Sequence, residues 1–95
     1  MLTIDMSALR WESAEDFSIE VLLKLGAPSW HGHSLDAIND SVFGGDINEI
    51  APPFRIMITH IANAKPDMQA FLRKVQKVFA DGRDETRRDA FIDLL

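Results

Sequence analysis

Apolar and polar residues change period several times along this chain, and the changes divide it into elements. Leu2, Ile4 and Met6 alternate with Thr3 and Asp5, the period-two pattern of a short strand over residues 1–6. Ser13 with Asp16 three positions on has the form of a capping box. The stripe Phe17, Val21, Leu22 and Leu25 behind it predicts a helix that Gly26 and Pro28 stop. Ser34 is a candidate N-cap for a second helix running to about Phe43 and ended by Gly44 and Gly45. At 100° per residue Leu35, Ile38 and Val42 share one side of that helix, while Asp36, Asn39, Asp40 and Phe43 fall on a different one.

After Pro52-Pro53, "FRIMITHIA" over 54–62 is rich in β-branched residues and apolar at both parities. That pattern predicts a strand covered on both faces. Pro66 suits the first turn of a third helix, with Asp67 at the positive end of its dipole. Its stripe is Met68, Phe71, Leu72, Val75, Val78 and Phe79, and Gly82 is expected to interrupt it. "AFIDLL" at 90–95 fits a helix or a covered strand, and periodicity leaves both open. The order strand–helix–helix–strand–helix indicates a small α/β domain with a mostly parallel sheet and right-handed connections.

Composition narrows the class. Ninety-five residues, 46% hydrophobic and 26% charged, predict one packed domain over 1–95. Cysteine is absent, so disulfides and thiolate ligands are excluded and a reducing compartment is suited. No run reaches the ~18 apolar residues of a membrane span, and "MLTIDMSALR" lacks a signal pattern, so a soluble, cytoplasmic chain is expected. The net charge of −5 is uneven: residues 1–50 carry −7 and residues 51–95 carry +2. An acidic half repels phosphate backbones and attracts basic proteins, which argues against nucleic acid. Arg73, Lys74, Lys77, Arg83, Arg87 and Arg88 are interleaved with Asp81, Asp84, Glu85 and Asp89 and read as a solvated mixed-charge face.

The chemistry gathers in "SWHGHSLDAINDSVFGG", residues 29–45, which holds no lysine or arginine. His31, His33, Asp36 and Asp40 are metal-donor types, but the spacing is weakly diagnostic and His60 is the only other imidazole. Asp36 and Asp40 could divide acid and base roles, yet no nucleophile elbow or phosphate loop accompanies them. A solvated helix face is the ordinary reading of such a pair. Against it, like charges four apart cost a helix a few tenths of a kcal/mol, and no base lies within a turn. The first-turn dipole favours Asp36 but not Asp40. Phe43, off the core stripe, has no obvious internal partner, and acids beside an aromatic resemble the middle of a protein-binding surface. Trp30 reads equally as a core lid or an interface anchor.

The stretch "APSWHGHSLDAINDSVFGG" resembles the barstar family of ribonuclease inhibitors. Pro28, Trp30, Gly32, Leu35, Asp36, Ala37, Ile38 and Asp40 match the family pattern in register, and the likeness extends along most of the chain. The resemblance implies a small, three-layer-like α/β fold with a three-stranded parallel sheet packed against helices, and it favours the strand reading of 90–95. It also implies that the second helix and the loop before it plug the active site of a small basic ribonuclease. There Asp40 would occupy the substrate-phosphate site, supported by Asp36 and Trp30, with Asp81 adding a peripheral ion pair. His31 stands where the family has a second aromatic, Asn39 where it has a bulky residue, and Gly45 where it has an aromatic after the helix-end glycine. His31, His33, Asn39 and Phe43 complete the candidate contact surface with Trp30, Asp36, Asp40 and Asp81. The expectation is a non-enzymatic inhibitor or immunity-type protein, monomeric, without cofactor, metal, membrane or nucleic-acid ligand, whose partner is a basic ribonuclease or related toxin. The alternative is an interaction module using the same face for self-association or for a non-nuclease partner.

Overall fold

The computed structural model of the protein describes residues 1–27, 34–44 and 48–95. Its elements run β1 (Leu2–Ser7), α1 (Ala14–Lys24), α2 (Leu35–Phe43), β2 (Phe54–Thr59), a 3-10 turn (Ile61–Asn63), α3 (Pro66–Thr86) and β3 (Ala90–Leu94). The tail is therefore a strand. The three strands form one parallel sheet in the order β1-β2-β3. Among the described residues no helix is long and apolar enough to cross a membrane.

Local chemistry explains most of the boundaries. The Asp16 carboxylate accepts hydrogen bonds from the backbone N–H groups of Glu12 (2.8 Å) and Ser13 (3.1 Å), satisfying donors that the first turn of α1 leaves open. At the other end Gly26 takes φ +70°, and the N–H groups of Gly26 and Ala27 bond back to Leu23 and Leu22. That is the Schellman arrangement, for which a residue without Cβ is favoured. Pro66 opens α3.

The register places Leu2, Phe54 and Ala90 in one row, Ile4, Ile56 and Ile92 in the next, and Met6, Ile58 and Leu94 in a third. Ile4, Met6, Phe54, Ile56, Ile58, Ala90 and Ile92 are buried and share one cluster with Phe17, Val21, Leu22 and Leu25 of α1, Ile38 and Val42 of α2, and Met68, Leu72, Val75 and Phe79 of α3. All three helices thus serve one face of the sheet. Consecutive parallel strands joined by crossovers of the same hand require this arrangement.

The expected second covered face is not formed by the described residues, so the domain is layered as helices on sheet. On the other face Thr3 and Asp5 are exposed, and Arg55, Met57, Thr59, Phe91 and Asp93 are half-buried. Arg55 bonds Asp93 at 2.5 Å, and the guanidinium groups of Arg55 and Arg83 each stand 4.6 Å from the centre of the Phe91 ring. Such contacts suit a wet surface, where exposed ion pairs add little. Adjacent substitutions on β2 should report the asymmetry. Ile56→Ala is expected to cost about 2–5 kcal/mol, and Met57→Ala under about 1 kcal/mol, in urea unfolding. Equal losses would mean that the second face also carries core.

Two boundaries differ from expectation. The strand predicted over 54–62 ends at Thr59, because His60 adopts φ +64° and turns the chain into the 3-10 turn. A left-handed conformation costs a residue with a Cβ roughly 1–2 kcal/mol. The His60 ring offsets part of this by lying within hydrogen-bond distance of Ser7 Oγ (2.9 Å) and Thr59 Oγ1 (3.1 Å) through Nδ1. Gly82, expected to interrupt the third helix, lies inside α3, which continues to Thr86. The reason is a contact with α2.

Candidate partner-binding face

Helix α2 begins where Ser34 Oγ accepts the backbone N–H of Ala37 at 3.1 Å, as its sequence predicts. Ile38 and Val42 anchor it in the core, and Ser41 is buried on its flank. Asn48 holds that flank by donating from Nδ2 to the Ser41 hydroxyl and to the Ser41 carbonyl. The helix ends at Gly44, whose N–H bonds the Asp40 carbonyl at 2.9 Å. A Cβ at Gly44 would stand 2.7 Å from that same oxygen, so the tight exit requires glycine.

These anchors fix which side faces out. Asp36 and Asp40 are exposed, and among the described residues neither makes an ion pair or a side-chain hydrogen bond. Asp36 lies in the first turn, and no base stands in the last turn. The dipole therefore favours the first carboxylate and leaves the second with no compensation inside its helix. Asn39 is half-buried. It lines, with Leu35 and Asp36 on one wall and Val78, Asp81 and Glu85 on the other, a groove of about 200 Å³ between α2 and α3, with Gly82 between the walls. Asp81 is exposed and accepts from Lys77 Nζ at 3.2 Å, a pair too solvated to fix either side chain.

The structure thus joins Asp36, Asn39 and Asp81 at one groove, with Asp40 one turn along from Asp36. Glu85 belongs to the same groove and was not singled out from the sequence, although it stands one turn beyond Asp81. Trp30, His31 and His33 lie outside the described residues. Among the described residues no three His, Cys, Asp or Glu side chains gather as a metal-binding group.

Phe43 corrects the sequence reading. It is not a ring without an internal partner but is buried at 7% exposure, edge-on to Phe79 with centroids 5.6 Å apart and planes at 84°. It lies on the α3 side of α2, about 110° from the centre of the core stripe by helical spacing, and α3 is what covers it. Its other neighbour is Gly82: a Cβ there would meet Phe43 ring atoms at 2.5 Å. The same contact explains the glycine inside α3 and removes Phe43 from the exposed surface.

A parallel three-stranded sheet under three helices, with an acidic second helix, is the arrangement implied by the sequence resemblance. Comparison with family models decides the matter, since the Barstar (barnase inhibitor) model matches residues 1–94. The chain belongs to the barstar family. No curated protein matches it. The barstar family is one of ribonuclease inhibitors rather than enzymes, and its match spans every element from β1 to β3. Within this barstar-family chain, the exposed carboxylates of α2 stand on a helix whose opposite side is locked by Ile38 and Val42 and whose α3-facing flank is held by Phe43. That rigidity lets a surface act without first being ordered.

Proposed function

We propose that the protein inhibits a small basic ribonuclease by inserting the outer side of α2 into the enzyme's active site. Asp36 and Asp40 take the places of substrate phosphates, and Asn39 and Asp81 contribute at the margin. Trp30, His31 and His33, which precede α2, complete the proposed contact. The observation that carries this reading is the exposed pair Asp36 and Asp40, without a cation among the described residues, on the second helix of a barstar-family chain. Carboxylates left uncompensated by their own helix are an internal cost that a partner's Arg and Lys groups relieve. The −7 charge of residues 1–50 adds a long-range attraction for a basic enzyme.

A titration of ribonuclease activity against the protein, using barnase as the basic enzyme, tests the reading. Stoichiometric loss of RNA cleavage is expected. The association rate should fall ~10-fold or more between low salt and about 0.5 M salt, with dissociation changing much less, because screening acts on charge steering. An association rate indifferent to salt would reject charge-steered plugging and favour an apolar interface on this face.

A further inference from the structure

We propose that Gly82 and Phe43 are positioning residues, whose contact sets the separation of α2 and α3 and thereby the spacing of Asp36 and Asp40 from Asp81. The functional consequence rests on the inhibitor reading above; the geometric one does not.

The seam between the two helices has an unusual composition. Glycine inside a helix is less stable than alanine by roughly 0.5–1 kcal/mol. Yet Gly82 is buried four residues before the end of a helix of 21 residues. Its lack of a side chain is used in full. An added Cβ would lie 2.5 Å from Phe43 Cδ2 and Cε2 and 2.7 Å from Cγ, where ordinary contact is 3.4–4 Å. The ring is also confined sideways, because the fully buried Phe79, three residues before Gly82 on α3, meets it edge-on. Close-packed interiors transmit such a misfit instead of absorbing it.

The contact lies within a turn of Asp40 on α2 and of Asp81 on α3, with Asp36 one turn further along. Gly82 follows Asp81 directly, and Phe43 is three residues beyond Asp40 and four beyond Asn39. Leu35, Asp36 and Asn39 face Val78, Asp81 and Glu85 across the groove that has Gly82 at its base. A methyl group at position 82 therefore has to move α2 outward by about an ångström, and it carries the α2 carboxylates with it. An error of that size is enough to spoil charge-assisted hydrogen bonds made by several groups at once.

The test uses three forms of the full chain: Gly82→Ala, Phe43→Leu, and both together. Crystal structures give the separation of the two helices, and stopped-flow kinetics with barnase give the rates. Gly82→Ala is expected to widen the seam by about an ångström and to speed dissociation at least tenfold with association unchanged. The smaller leucine side chain at position 43 should restore both in the double variant. Phe43→Leu alone, which leaves room at the seam, keeps the test sound if Gly82→Ala folds poorly; it is expected to draw α2 inward and also to speed dissociation. An unchanged helix separation in Gly82→Ala overturns the proposal. So does a widened seam with wild-type dissociation, if Asp40→Ala measured alongside does speed it. A merely structural role would lower the unfolding midpoint and the active fraction but not the dissociation rate of the folded complex. A wild-type chain that leaves barnase uninhibited rejects the inhibitor reading for that enzyme, and the crystallographic separations then decide alone whether the seam spaces the charges.

Discussion

Asp40→Ala is expected to weaken inhibition of a basic ribonuclease by about 2–5 kcal/mol, some 30-fold to a few thousand-fold, mostly through faster dissociation. The reasoning is electrostatic. Asp40 is exposed in the free protein and has no cation among the described residues, so its removal leaves nothing unpaired at home. In the proposed complex the carboxylate is desolvated among the enzyme's cations, and truncation strands those cations without a partner. Glu15→Ala, on the exposed first turn of α1, supplies the control and should change affinity less than about threefold. Folding should be nearly untouched by Asp40→Ala, because a like-charge pair at i and i+4 is relieved. Equal, small effects from both substitutions would dismiss α2 as the contact.

Phe79→Ala is expected to bring the largest loss of folding stability, about 3–5 kcal/mol, with a fall in melting temperature on the order of 20 °C. Phe79 is fully buried in α3 and supports the Phe43 ring edge-on. Its truncation removes apolar contact from the core and takes away the backing of the α2–α3 seam, while the helix itself gains a better former. Domains of this size carry only about 5–15 kcal/mol in all, so roughly a fifth of the total or more is at stake. Val78→Ala, one residue away in the half-exposed groove wall, should cost under about 1.5 kcal/mol. Thermal melts of the two variants decide it: equal midpoints would show that the core does not depend on this ring.

What the sequence made legible was written in local chemistry. The Asp16 carboxylate at the start of α1, the Ser34 cap, Gly26 at φ +70° and Pro66 at the start of α3 each act within a few residues of where they stand. The three helical stripes were legible for the same reason, because one period and one core-facing side suffice to define them. The unforeseen features depend on contacts between elements. Gly82 has the same signature as a helix terminator, and only the Phe43 ring above it shows why it is interior. Phe43 lies outside a narrow core stripe, but α3 widens the buried arc of α2.

The strand errors share one cause. With "HIA" included, residues 54–62 are apolar at both parities; cut at Thr59, they alternate Phe54, Ile56 and Ile58 inward against Arg55, Met57 and Thr59. The turn at His60 depends on hydroxyls from two neighbouring strands, which no short window contains. As for the site, the carboxylates of α2 were visible as residues that local stability does not explain. The groove that joins them to Asp81 and Glu85 arises only when two helices distant in sequence are packed together.

With every helix on one side of the sheet, the molecule offers a natural place of attachment. Thr3 projects from the uncovered face, exposed and next to Arg55 in register. The chain contains no cysteine, so a thiol engineered at that position would be unique. A dye or a surface tether placed there would be separated by the whole thickness of the sheet from the carboxylates of α2.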